Sequence, residues 1–388
     1  MGCICSYSQP KKRDSSPYQT LTRSLRDKLD QINFQTPVES TTIDEKEEIL
    51  NSYKVIKKIG KGLFSRVFLA TDEKGNKLAL KIIKKKNFLN KENIQKIIIE
   101  KEVLKLVEHP NILKLYRTIQ TNSKLVFVLE YAAKGNLINI LNQRPRINED
   151  EVRFIIAQIC EALVHIHSKG IIYGDLKAEN ILMTEEGIVK LCDFNLSGTS
   201  SLLNDAIQGT VNYLAPEIIA GLPRSMKSDF WSLGVLVHLL FYRRFPFKSQ
   251  NQSELFYNIV NKPIDPEEVD LRASPELRTL ITQLLNKNYK QRLGNSIQDF
   301  VQHKFFRKFD WKNYKNQLPD LTLVKSVASF DDPKQGLDES DESTKIKKSN
   351  LSSEKFHYNI NGFTYDDRTT NMRRSLVNNG SREETKEV

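Results

Sequence analysis

The sequence predicts an α+β fold on three observations. From Tyr53 the run YKVIKKIGKGLFSRVFLATDEKGNKLALKIIKK alternates apolar and polar positions and is broken twice by turn residues, the pattern of antiparallel strands. Residues 86–108 instead repeat apolar positions at helical spacing, at Ile94, Ile97, Ile98, Val103 and Leu104, and residues 149–168 form a second helix. A chain of 388 residues is long enough for core burial to be no obstacle.

Taken from its start, the chain opens MGCICS, which fits M-G-x-x-x-[ST] with Gly2 as the myristate acceptor once Met1 is removed. A single myristoyl chain holds a membrane only marginally, and Cys3 and Cys5 supply palmitoylation sites for the second anchor. Between residues 11 and 28 six basic residues face only Asp14 and Asp27, a patch suited to an anionic inner leaflet. Residues 1–52 are therefore expected to be a flexible, lipidated segment, and the protein to be cytoplasmic and membrane-associated through that anchor.

Bulk composition narrows the partners. The net charge of +11 is diffuse, gathered at residues 11–28, 84–86 and 345–348 without interleaved aromatics, which argues against a nucleic-acid groove. Four cysteines make no disulfide framework; Cys160 and Cys192 sit in apolar runs and read as core thiols of a reducing compartment. The longest apolar stretch, residues 233–242, is interrupted by His238 and is far shorter than the roughly 20 residues that span a bilayer. The N-terminus also lacks the apolar region of a cleavable secretory signal.

The first strands carry chemistry. Gly60 and Gly62 let backbone amides come close to phosphate oxygens, with Val67 and then Lys81 following at the spacing of a glycine-rich loop and its strand lysine; Ser65 takes the third glycine's place. In the helix that follows, Glu100 is placed to pair with Lys81, with Glu102 as a nearby rival. The run KLVFVLEYAAKGNL forms the wall of a base pocket, with Leu129 at its back and residues 130–132 offering backbone hydrogen bonds.

Further on come IIYGDLKAENILM, VKLCDFN, GTVNYLAPEII, SDFWSLGV and KQRLGN. In that order and spacing, residues 53–309 resemble a eukaryotic protein kinase domain. The resemblance implies a bilobal fold with a mostly β N-lobe and a mostly α C-lobe, the use of ATP and Mg2+, and transfer of the γ-phosphoryl to protein Ser or Thr hydroxyls by a monomer. It makes Asp175 the catalytic base, Lys177 the neutraliser of γ-phosphoryl charge, and Asn180 and Asp193 the metal ligands. It places Ile59, Gly60, Lys61, Gly62, Val67, Ala79, Lys81, Glu100, Leu129, Glu130 and Ala132 around ATP, and Thr210 beside the substrate. Glu217 with Arg292 becomes a bracing ion pair and Asp229 an anchor of the catalytic loop backbone.

Three features are similar to the AGC group: Tyr173 before the catalytic loop, SFDDP whose Phe330 would reach the nucleotide, and INGFTY, a hydrophobic motif with Thr364 as phosphosite. Residues 310–388 then form an AGC-like tail, partly disordered, with Ile360 replacing the first aromatic of the motif and weakening its docking; spacing suggests a turn-type phosphosite near Thr344 or Ser349. Two letters depart from the pattern. Gly174 stands where most kinases hold the arginine that pairs with a loop phosphate, and the usual phosphosite is Ala206. Receptor and ligand are missing together, so activation through that site is not expected; Ser197, Thr199, Ser200 and Ser201 remain as other loop hydroxyls. Asn195 replaces the glycine of D-F-G, as it does in a myristoylated AGC subgroup; asparagine is among the residues most tolerant of positive φ, and slower loop exchange is expected. Pseudokinase scaffolds form the alternative class, but they usually lose one of Lys81, Glu100, Asp175, Lys177, Asn180 and Asp193, and all six are present.

Overall fold

The computed structural model describes residues 52–62, 64–87, 91–144, 146–198, 209–264, 272–314, 360 and 363–367. Alternation in the first part builds three strands, β1 (Lys54–Lys61), β2 (Ser65–Thr71) and β3 (Lys77–Lys84), each antiparallel to the next. Asp72 closes the second turn, its carboxylate accepting from the Lys74 and Asn76 amides at 3.0 and 2.8 Å. Helix α1 (Lys91–Leu106) follows, then β4 (Leu115–Gln120) and β5 (Lys124–Glu130). The predicted helical start at 86 is replaced by a short 3-10 turn, Lys85–Asn87. Buried on both faces, β5 reads as a continuous apolar run from Leu125 to Leu129 rather than an alternating one.

A late segment completes this sheet. Strand β9 (Tyr365–Asp366) pairs with the edge of β4 in the order β1-β2-β3-β5-β4-β9. The Phe363 ring lies edge-on to Phe127 at 5.6 Å, with the Lys101 ammonium 5.8 Å from its centroid. Arg117 pairs with Asp366, and Lys114 with Asp367 at 3.3 Å. Ile360, expected to weaken docking, is 3% exposed, and its amide donates to Gln120 Oε1 at 3.0 Å. A branched aliphatic side chain therefore fills that site without an aromatic ring.

The remaining chain is mostly helical. A short strand β6 (Gly135–Asn136) leads to α2 (Leu137–Gln143) and α3 (Glu149–Ser168). Asn148 and Glu151 cap α3 reciprocally, each side chain accepting from the other's amide, at 2.9 and 2.8 Å. Strands β7 (Ile181–Met183) and β8 (Val189–Leu191) join β6 in a small sheet. Then come α4 (Pro216–Ile219), α5 (Met226–Tyr242), α6 (Gln252–Asn261), α7 (Pro275–Leu284) and α8 (Ile297–Val301). The apolar run 233–242 lies within α5, buried at the centre of the helical half. Among the described residues no helix is long and apolar enough to cross a membrane. Cys160 is buried in α3, as its apolar run predicts, and packing continues past 309 to Tyr314, whose hydroxyl donates to Glu161 Oε2 at 2.5 Å.

One charged pair braces this half. Arg292 donates to both carboxylate oxygens of Glu217 at 2.6 and 2.8 Å, to the Lys227 and Asn286 carbonyls at 2.7 and 3.0 Å, and stacks 5.1 Å from Trp231. Burial costs a guanidinium its hydration, so it is tolerable here only because its donors have partners. Replacing Glu217 with Ala leaves that charge unpaired in the core. The expected loss is about 3–5 kcal/mol of unfolding free energy, read by urea denaturation.

Candidate active site

Between the large sheet and the helical half lies a cleft of about 860 Å³. Ile59, Gly60, Lys61, Gly62, Val67 and Ala79 form its roof, and Leu129, Glu130 and Ala132 its back, so all the nucleotide residues predicted in β1, β2, β3, α1 and β5 meet in one place. Gly62 suits the roof's tight turn: its amide donates to the Ser65 carbonyl at 2.8 Å, and a Cβ there would stand 2.7 Å from Ser65 Oγ, which would have to rotate away. Phe330 lies outside the described residues, as do Gly2, Cys3, Cys5, Ala206 and the tail sites Thr344 and Ser349.

Lys81 in β3 and Glu100 in α1 are joined across the cleft, with Nζ to Oε distances of 2.6 and 2.8 Å. Burial alone would push the Lys81 ammonium down, but the Glu100 and Asp193 carboxylates outweigh it and hold its pKa above the ordinary lysine value. Lys81 is thus charged at neutral pH. The rival Glu102 is engaged elsewhere, with Lys101 at 2.9 Å and Lys105 at 3.6 Å.

Asp175 sits between β7 and the helical core on a loop whose backbone is held by α5. The Asp229 carboxylate accepts from the Tyr173 and Gly174 amides, both at 2.8 Å, and lies 2.7 Å from His167 Nε2. Asp175 Oδ2 accepts from Lys177 Nζ at 2.6 Å and from Asn180 Nδ2 at 2.9 Å; among the described residues this leaves Oδ1 to a substrate. Lys177 Nζ also donates to Thr210 Oγ1 at 3.0 Å, drawing the 174–180 loop and the 209–215 segment together. Asp193 Oδ1 is buried without a hydrogen-bond donor, 3.6 Å from Lys81 Nζ.

That orphaned oxygen suits a cation. No group of three or more acidic, His or Cys side chains clusters as a metal cage among the described residues. Asn180 and Asp193 would hold a hard divalent ion only together with nucleotide phosphates and water, which is the ordinary arrangement for Mg2+.

The two unusual letters lie beside these groups. Asn195 is not left-handed: among the described residues the non-glycine positions with positive φ are Asp193 at 59° and Arg243 at 64°. The expected reason for tolerating asparagine at 195 is therefore corrected, since the strain falls on Asp193. Asn195 instead brings a buried Oδ1 without a hydrogen-bond partner to the cleft. Gly174 has φ +83°, and a Cβ there would stand 2.5 Å from the Leu196 carbonyl oxygen. The chains cross this closely because Ile172 bridges Gly198 and Ser197 Oγ donates to the Tyr173 carbonyl at 2.7 Å.

Comparison with known proteins agrees with this geometry. Residues 53–306 match the family model described as protein kinase domain. The chain belongs to the protein kinase domain family. It is 32% identical over 295 residues to a putative ribosomal protein S6 kinase alpha-1 of Caenorhabditis elegans, covering 72% of this chain and 37% of that protein. It is 32% identical to a RAC-beta serine/threonine-protein kinase A of Xenopus laevis, covering 73% and 60%. Ribosomal protein S6 kinase alpha-3 of Homo sapiens is 33% identical over 279 residues, covering 69% and 37%. The chain thus spans about a third to three fifths of the length of these curated relatives.

Several lining residues of this kinase site escaped sequence reading. Leu182 in β7 and Leu113 before β4 line the cleft, and only pairing across the fold reveals them. Asn136 also lines the cleft and is the N-cap of α2, its side chain accepting from the Asn139 amide at 3.0 Å. Gly174→Arg, which restores the common arginine, must adopt positive φ against the Leu196 carbonyl. We expect it to lower stability by about 1–2 kcal/mol in thermal or chemical denaturation, with no gain in phosphoryl transfer.

Proposed function

We propose that the chain is an ATP-dependent serine/threonine protein kinase that transfers the γ-phosphoryl of ATP to protein Ser or Thr hydroxyls. The observation that carries the reading is the joint placement of Lys81, Glu100, Asp175, Lys177, Asn180 and Asp193 around one cleft, with the Lys81–Glu100 pair closed. A scaffold without transfer would not need each of these groups aimed at the same space.

The roles follow from the charges. Lys81, kept cationic by two carboxylates, neutralises the inner phosphates and orients the nucleotide whose base lies against Leu129 and Ala132. Asp175 Oδ1 accepts the hydrogen bond of the incoming hydroxyl and orients its lone pair toward phosphorus, while Lys177 faces charge on the transferred group. Mg2+, when bound through Asn180 and Asp193, supplies charge neutralisation at the phosphates. Thr210, held by Lys177, closes the site on the substrate side, the position similar to that of serine/threonine-specific kinases.

The regulatory part of the reading is that no phosphate at the usual loop position is needed. Supporting it are Gly174 in place of a phosphate-binding arginine, Ala206 at the usual phosphosite, and a tail whose carboxylates at Asp366 and Asp367 already pair with Arg117 and Lys114 while Thr364 is exposed. The MGCICS start with its basic patch supports tethering to an anionic membrane surface. The substrates and partners of the whole protein belong to the same proposal.

Transfer of radiolabelled phosphate from ATP to a generic basic protein tests the core of it. Wild-type protein is expected to label the acceptor, and Asp175→Ala to fall by at least about a hundredfold. Equal signal from the two would leave the scaffold reading.

A further inference from the structure

The backbone at residue 174, which leads into Asp175, is held from two sides. Its amide flank is the part already described, with the Tyr173 and Gly174 N–H groups donating to Asp229. On the other side the Gly174 carbonyl accepts from Arg224 Nη1 at 2.8 Å. Arg224 is half-buried, and its Nη1 lies 3.3 Å from where a Cβ of residue 174 would be. The guanidinium therefore lies against the position where a side chain at 174 would begin, beside the Leu196 carbonyl oxygen, which is closer still at 2.5 Å. It faces a cavity of about 20 Å³ lined also by Asp175, Gly209, Thr210 and Asp229.

The arginine itself has a fixed origin. It immediately precedes Ser225, the N-cap of α5, whose amide donates to Ser228 Oγ at 3.1 Å. Helix α5 and the residue before its cap thus hold Gly174 through opposite charges: the Asp229 carboxylate takes its N–H, in the 173–174 peptide, and the Arg224 guanidinium takes its C=O, in the 174–175 peptide. Burial pushes the guanidinium pKa down, with Asp229 and then Asp175 opposing that.

We propose that Arg224 is a positioning residue for the phosphoryl-transfer reaction, clamping the Gly174 carbonyl so that Asp175 Oδ1 points at the substrate hydroxyl. The inference rests on the kinase reading above. Gly174 and Arg224 form a matched set in it: glycine at 174 opens the volume that the guanidinium fills. Loss of the clamp lets the peptide rotate about a glycine with little intrinsic preference, which displaces the carboxylate rather than the nucleotide.

The test compares full-length wild type, Arg224→Ala, Arg224→Gln and Arg224→Lys in steady-state transfer to a generic basic protein, alongside amide hydrogen exchange of residues 170–182. Arg224→Ala is expected to lower kcat roughly ten- to a hundredfold while KM for ATP stays within about twofold. Exchange in 170–182 should quicken, and Arg224→Lys, which keeps a charged donor, should recover most of the rate. A kcat for Arg224→Ala within twofold of wild type overturns the proposal. So does a fall in which KM for ATP rises in step and Arg224→Lys is equally impaired, since that marks a general structural role. Should Arg224→Ala not fold, Arg224→Gln, which keeps one donor without charge, takes its place under the same criteria. If wild type transfers no more phosphate than Asp175→Ala, the kinase reading fails, and unchanged exchange in Arg224→Gln or Arg224→Ala then separately sinks the clamp.

Discussion

The carboxylate of Asp229 is the constraint on which the catalytic half depends. It is 2% exposed, and such a buried anion is tolerable only because His167 and two backbone amides surround it. In holding the amides of Tyr173 and Gly174 it bends the chain into a left-handed turn at 174, and that turn sets the direction in which Asp175 leaves the core. The same bend brings the Leu196 carbonyl against position 174, which excludes any β-carbon without a shift. A glycine that departs from the common kinase pattern is thus the residue with least strain there.

Nucleotide and substrate sides are held by different contacts. Lys81 and Glu100 link the sheet to α1, while Lys177 links the Asp175 loop to Thr210; Asp193, 3.6 Å from Lys81, is where the two sets meet. The tail adds to the first set from outside. Phe363 packs on Phe127, which lies in β5 opposite Lys81 of β3, so the tail touches the strand pair that carries the lysine. Its ionic contacts come from Asp366 and Asp367.

Most of this architecture was legible in the sequence because it rests on local signals. Strand alternation locates β1 to β3, and the long helix lies at Glu149–Ser168, where the sequence predicts it. Glu100 is preferred to Glu102 through the surrounding motifs, and the partner that Lys81 takes is Glu100. What could not be read depends on contacts distant in sequence. Nothing near Asn195 in sequence indicates that Asp193 takes the positive φ of 59° while Asn195 does not, in a segment whose Phe194 packs on the distant Tyr173 at 5.1 Å. Arg224 carries no motif, being one basic residue in a loop, and is informative only once folding sets it on Gly174. Burial of Ile360 was not legible for a similar reason, since the surface that covers it lies some 240 residues earlier in the chain, at Gln120.

The central claim is that the catalytic geometry is held by contacts within the protein and needs no loop phosphate. Transfer rate before and after exhaustive treatment of the purified full-length protein with a phosphatase, the phosphatase then removed, tests it most directly. The account predicts rates within about twofold of each other, since each tenfold loss would require about 1.4 kcal/mol of stabilisation from a phosphate that the structure has no arginine at 174 to bind. A collapse of activity on dephosphorylation, restored by rephosphorylation within residues 197–201, would contradict it.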